Sequence, residues 1–202
     1  MSGRARRAAT RGAAALALLA LLAGRAGLAA APAPPPGEAP RTETLCEAAG
    51  RRAARAEGVP EAIMRAISLA ETGRGDGRRL RPWPWTVNME GEGRWFAGPR
   101  PLLRWVRARR AEGARSFDLG CFQVNHLWHG HAFESLEAML APEANARYAA
   151  RFLRDLYEES GDWATAAGWY HSRTPALASR YRARVMRLAG GTAADAPPPR
   201  VP

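Results

Sequence analysis

Lysine is missing from this chain: all thirty basic residues among its 202 are arginine. Chemistry that needs a lysine amine, such as a Schiff base or a P-loop phosphate cradle, is therefore excluded. Cysteine is limited to Cys46 and Cys121. Outside residues 13–24 no apolar run approaches the length that spans a bilayer. Acids are outnumbered, nineteen to thirty, which leaves a net charge of +11 and a pI of about 11.2. Hydrophobic residues at 47% and charged ones at 24% are ordinary for a folded domain, so disorder throughout is not expected. So basic a chain raises an anionic polymer as partner, provided the charge lies on the folded part.

Five of the arginines do not. Arg4, Arg6, Arg7, Arg11 and Arg25 fall in residues 1–31, which hold no acid. A basic start, the apolar run AAALALLALLAG at 13–24 and the small residues GLAAAPA at 27–33 follow the order of a secretory signal peptide. A buried core helix is the alternative for so short a run. Arg6-Arg7 keeps a twin-arginine route open beside the general one. A periplasmic protein is expected, exported by a cleavable leader. Without those five, twenty-five arginines face nineteen acids, or +6. In an oxidising compartment the two cysteines read as one disulfide, and two unpaired buried thiols are the other reading.

Residues 32–42 form a Pro-rich linker, PAPPPGEAP at its heart, and 190–202 a flexible tail. Between them, 43–189 reads as one mainly helical domain with a short β-hairpin. Helices are expected over 45–58, from Pro60 to Gly73, over 101–113, 133–140 and 142–161, then from Asp162 and from Thr174 as caps. WTVNM and RWFA, flanking EGEG, suggest the hairpin.

Glu71 is the most informative acid. It ends an apolar helix, ISLAETGRG, just before helix-stopping glycines. The negative end of the helix dipole and an apolar surround both favour its protonated form. A carboxylic acid still protonated near neutrality suits general-acid cleavage of a glycosidic bond. A solvated glutamate at a helix end is the plainer alternative. In FDLGCFQVNHLWHG, 117–130, Gly120 permits close backbone approach, and Gln123 and Asn125 set amides beside aromatic surface. Such a mixture suits sugar hydroxyls, N-acetyl groups and sugar faces. AAGWYHS, 166–172, adds the Tyr170 phenol and the His171 imidazole.

Together the three segments resemble the family 1 lytic transglycosylases, whose SLT domain is goose-type-lysozyme-like and cleaves peptidoglycan. The family's Glu-Ser-Gly, Gly-Leu-Met-Gln and Tyr-Asn motifs appear in order as Glu71-Thr72-Gly73, Gly120-Cys121-Phe122-Gln123 and Tyr170-His171. The resemblance spans roughly 46–187 and implies a lysozyme-like helical fold with Glu71 as catalytic acid/base. By the same resemblance Thr72, Phe122, Gln123, Asn125, Tyr170, His171 and Tyr181 would bind substrate, with Tyr170 near the Glu71 carboxyl and Tyr181 the weaker carry-over. Cys121, inside the second motif, would be pinned by Cys46 to the helical core. The implied reaction needs no cofactor and no metal. Its partner is the peptidoglycan glycan strand, met by a monomer. Thr72 for Ser, His171 for Asn and the 52-residue step from Glu71 to Gln123 depart from the family pattern. Ser116 and Asn88, in the extra chain, are candidates to assist Glu71.

Three other readings stay open. A hydrolytic muramidase would need a second acid, for which Asp76, Glu90, Glu92 and Asp118 are available. A non-catalytic peptidoglycan-binding module would serve a cell-envelope assembly partner in a secretion or flagellar apparatus. His126, His129 and His131, with His171, suit zinc by residue type, yet no matching Cys or acid pattern accompanies them. The arginine stretches RRLR at 78–81 and RWVRARR at 104–110 meet no nucleic acid in an exported protein. Stem-peptide carboxylates or anionic headgroups are their expected partners, or solvent alone.

Overall fold

The computed structural model describes residues 41–75 and 80–190. The leader, residues 32–40 of the linker, Asp76, Arg78, Arg79 and residues 191–202 of the tail lie outside the described residues. Helix α1 (Thr42–Glu57) ends where Gly58 takes φ +67° and returns its N–H to the Ala54 carbonyl. Helix α2 (Glu61–Thr72) starts one residue after Pro60, whose carbonyl accepts the Ile63 and Met64 N–H groups. Ile63, Met64, Ala66, Ile67 and Ala70 are buried, as their helical spacing foretells.

The chain beyond α2 is richer in strand than a single hairpin. Strand β1 (Gly73–Arg74) pairs with β2 (Arg81–Pro82). Strands β3 (Thr86–Met89) and β4 (Glu92–Trp95) form the expected hairpin, and Glu90 and Gly91, at φ +53° and +93°, make its two-residue turn. Helix α3 (Pro99–Ala111) follows, then β5 (Phe117–Leu119) and β6 (Val124–Asn125). The four strands make one antiparallel sheet in the order β4-β3-β5-β6. Its register sets Asn88 opposite Asp118 and Asp118 opposite Asn125. The long step from Glu71 to Gln123 is thus occupied by two small sheets and α3.

The rest is helical: α4 (His126–His129), α5 (Leu136–Leu140), α6 (Pro142–Ser160), α7 (Trp163–His171) and α8 (Pro175–Leu188). Eight α-helices and a small antiparallel sheet make the described residues mainly α. Asp162 caps α7 as expected, its carboxylate accepting the Thr165 N–H at 2.7 Å. Thr174 precedes α8 without a side-chain capping bond, so Pro175 alone sets that start. The helix expected from Phe133 begins only at Leu136, because Phe133 is extended and Ser135 Oγ accepts the Ala138 N–H. Among the described residues no helix is long and apolar enough to cross a membrane.

Helix α1 packs on α6 and α2, while α8 lies against α7 and α2. The core between them is filled by Met64, Ile67, Leu102, Phe117, Phe122 and Leu153, each at most 1% exposed. Burying side chains of this size contributes about 1.5–3 kcal/mol each. A disulfide joins Cys46 of α1 to Cys121, in the turn between β5 and β6, with Cα atoms 5.4 Å apart.

Candidate functional site

The β5–β6 turn is the second sequence motif, Gly120-Cys121-Phe122-Gln123, and the core holds it on several sides. Ser68 and Thr72 of α2 donate their hydroxyls to the Cys121 carbonyl at 3.0 and 3.3 Å. The Tyr170 phenol donates to the Phe122 carbonyl at 2.8 Å. Asn145, wholly buried on α6, accepts the Phe122 N–H at 2.9 Å and donates to the Leu119 and Met139 carbonyls at 3.0 Å. Gly120 sits at φ +77°, where an added Cβ would come within 2.9 Å of the Asn145 amide. Glycine is needed there for both conformation and space. Gln123 takes φ +44°, a left-handed conformation that non-glycine residues rarely adopt. Its amide donates to the Gly120 and Thr86 carbonyls at 2.9 and 3.2 Å, which holds it in place.

The turn forms one wall of a cleft of about 590 Å³. Glu71 lies at its floor, with Asn88 and Asp118 on the sheet and Tyr170 and His171 on α7. Glu71 is the penultimate residue of α2. That helix stops where Gly73 turns close beneath it, a Cβ there falling 2.4 Å from the Leu69 carbonyl oxygen. Tyr181 of α8 donates its hydroxyl to Glu71 Oε1, and the His171 ring stacks on the Tyr181 ring at 4.7 Å, their planes 4° apart.

Burial pushes the Glu71 carboxyl up to about 7, and the nearby charge of Asp118 adds to the rise. The Tyr181 hydrogen bond and the Arg184 charge pull the other way without offsetting it. Near neutrality Glu71 is thus divided between acid and carboxylate. Burial also raises Tyr181 and Tyr170 well above the usual phenol value, helped by the Glu71 charge, so both remain donors.

Asp118 is the second acid of the cleft. Asn125 Nδ2 donates to its Oδ1 at 2.8 Å and Asn88 Nδ2 to its Oδ2 at 3.4 Å. Burial raises its carboxyl above the usual range, although both amides and the His171 ring oppose the rise. Asn88 Oδ1 is buried and has no hydrogen-bond partner among the described residues. On the rim stand two exposed indoles, Trp95 of β4 at 50% and Trp128 of α4 at 70%.

Several expectations need correction. Thr72 and Phe122, both 0% exposed, cannot touch a substrate in this cleft. Thr72 ties α2 to the motif turn, and the Phe122 ring packs into the core beside Gly50. Tyr170 lines the cleft with Glu71 and feels its charge, while its hydroxyl bonds the turn; the phenol bonded to Glu71 is Tyr181, expected as the weaker carry-over. Gln123, Asn125, Tyr170 and His171 do line the cleft with Glu71. Asn125 also caps α4 by accepting the Trp128 N–H at 3.3 Å. Ser116 lies off the cleft lining and accepts from Asn125 Nδ2 at 3.4 Å. Of the other proposed second acids, Glu90 accepts the Arg115 N–H and Glu92 pairs with Arg94 at 2.6 Å, both on the surface. His126 stacks on Phe117 at 4.5 Å and His129 Nδ1 meets the Tyr148 hydroxyl at 2.7 Å. Among the described residues no group of three His, Cys, Asp or Glu side chains is placed to hold a metal ion.

Replacing Tyr181 by Phe should move the Glu71 titration further up, because the lost hydrogen bond favours the carboxylate. Carboxyl titration followed by NMR checks this; an unmoved midpoint would mean that the bond is not made in solution.

No protein-family model matches the chain, and neither a curated protein nor a solved structure matches it.

Proposed function

We propose that the protein is a peptidoglycan lytic transglycosylase of lysozyme-like, goose-type/SLT fold, exported to the periplasm by its leader. The observation that carries this reading is Glu71, a carboxyl poised near neutrality at the floor of a cleft large enough for sugar rings. A general acid with a pKa close to the working pH both holds and releases its proton readily. The cleft also has what an amino sugar calls for. Trp95 and Trp128 offer flat apolar faces, and Gln123 and Asn125 offer amides.

In this mechanism protonated Glu71 donates to the oxygen linking N-acetylmuramic acid to N-acetylglucosamine. The bond to the muramyl anomeric carbon breaks, and the muramyl acetamido oxygen stabilises the positive centre. Ionised Glu71 then takes the proton of the same sugar's 6-hydroxyl, whose oxygen closes a 1,6-anhydro ring. Tyr181 stabilises the carboxylate between the two steps. No second carboxylate is required.

Hydrolysis is the second reading, favoured by one observation: Asp118 lines the same cleft, and its charge acts on Glu71. A water held by Asp118 would give a reducing muramyl end in place of the anhydro ring. Mass spectrometry of products from purified sacculi separates the two. Anhydro-muropeptides, two hydrogens and one oxygen lighter than their hydrolysed counterparts, are expected. Reducing ends alone would establish the hydrolase, and intact strands would leave a binding module.

A further inference from the structure

Glu71 and His171 border two cavities. One is the main cleft; the other, of about 280 Å³, lies against α8 and is also lined by Leu177, Arg180, Tyr181 and Arg184. These four positions follow the i, i+3, i+4, i+7 spacing and form one stripe of the helix. Tyr181 is buried within it and binds Glu71, whereas Leu177, Arg180 and Arg184 are exposed. Both cavities meet at Glu71 and His171, so the stripe lies beside the point where a scissile bond would sit.

The charge on the stripe is uncommitted. Several surface arginines elsewhere are paired: Arg107 with Glu137, Arg109 with Glu112, Arg173 with Glu159 and Arg154 with Glu158. Of the five α3 arginines, Arg107 and Arg109 are neutralised in this way. Among the described residues Arg180 and Arg184 hold no ion pair, and the charge of Arg184 acts on Glu71. When Glu71 carries its proton, Arg184 loses that counter-charge. The working acid form of the site is thus also the form in which these guanidiniums await an anion.

We propose that Arg180 and Arg184 form a carboxylate-reading subsite beside Glu71, which selects glycan strands bearing anionic substituents over neutral ones. It rests on the glycan-cleaving reading above. Two carboxylates of such strands could fill it: those of the stem peptide, or the lactyl carboxylate that a stripped muramyl sugar exposes. Guanidinium groups one helical turn apart suit either, and bidentate pairing would add geometric selection to charge. An unsubstituted chitin chain offers neither.

Binding on a Glu71→Gln background, where strands survive, tests the subsite with three probes: stem-bearing glycan strands, amidase-stripped strands and chitohexaose. The added pair Arg180→Gln and Arg184→Gln, exposed positions where Gln keeps the helix, should cut the preference for stem-bearing strands over chitohexaose by about tenfold at low salt. Added salt should lower the unsubstituted protein's preference toward the same value. If stripped strands keep the preference, the lactyl carboxylate is the partner; if they behave as chitohexaose, the stem is. An unchanged preference overturns the subsite. Failure of the wild-type protein to cleave any strand would instead overturn the reading of Glu71, and the binding ratio would still report on the arginines.

Discussion

Replacing Glu71 by Gln is expected to lower strand cleavage by roughly 10³-fold, the scale on which a positioned acid/base acts, and to make the protein more stable above neutral pH. The second effect follows from the sign of the shift. The Glu71 carboxyl titrates at about 7 when folded, against 4.5 for an unperturbed glutamate. Between those values the folded chain keeps a proton that the unfolded chain has released, so stability falls as pH rises through the window. Above it, wild type carries a penalty of up to roughly 3 kcal/mol for an ionised, desolvated carboxylate. The amide variant has no charge to desolvate, and its oxygen can still accept from Tyr181. Thermal melts should therefore coincide near pH 4 and separate in favour of Glu71→Gln at pH 8. Loss of activity with equal stability at pH 8 would mean that the carboxyl is not desolvated. Unchanged activity would mean that another group is the acid.

The local parts of the site were legible in the sequence, and their assembly was not. Glu71 at the end of an apolar helix, the hairpin and the Asp162 cap each depend on neighbours within a few residues. Tyr181 lies 110 residues from Glu71, and no local pattern links them. The Asn88–Asp118–Asn125 rung exists only because β3, β5 and β6 pair in one register. Strands β5 and β6 have three and two residues, too few for alternation to be seen. Thr72 and Phe122 mark the opposite error. A motif match does not tell which of its side chains faces sugar and which faces the core, and both face the core. Asn145 left a usable signal that was passed over. It shares the apolar stripe of α6 with Ala149, Leu153 and Leu156, and a polar residue on such a stripe must find partners. Charge proved legible only in sum, because pairing, invisible in composition, decides which arginines remain free.

Removing the disulfide with the Cys46→Ala, Cys121→Ala pair should cost stability far more than activity. The bond spans 75 residues, and constraining so long a loop in the unfolded chain is worth about 4 kcal/mol in the chain-entropy model. For a domain of this size that amounts to a fall in Tm on the order of 10 °C. Alanine is the better replacement, since both sites are 0% exposed and serine would bury hydroxyls without assured partners. The folded turn has other holds: Ser68 and Thr72 on the Cys121 carbonyl, Tyr170 on the Phe122 carbonyl, and Asn145 on the Phe122 N–H. At about 1 kcal/mol each, these suffice to keep Gln123 at the cleft once the chain has folded. Cleavage at room temperature should therefore stay within about threefold of wild type, a difference under 1 kcal/mol in the barrier, while the melt shifts downward. A folded variant that has lost cleavage would assign the disulfide to positioning the site. The same burial governs reduction. With neither sulfur exposed, a thiol reductant reaches the bond only through opening of the domain, so native protein in reductant should lose its disulfide at the rate at which it unfolds.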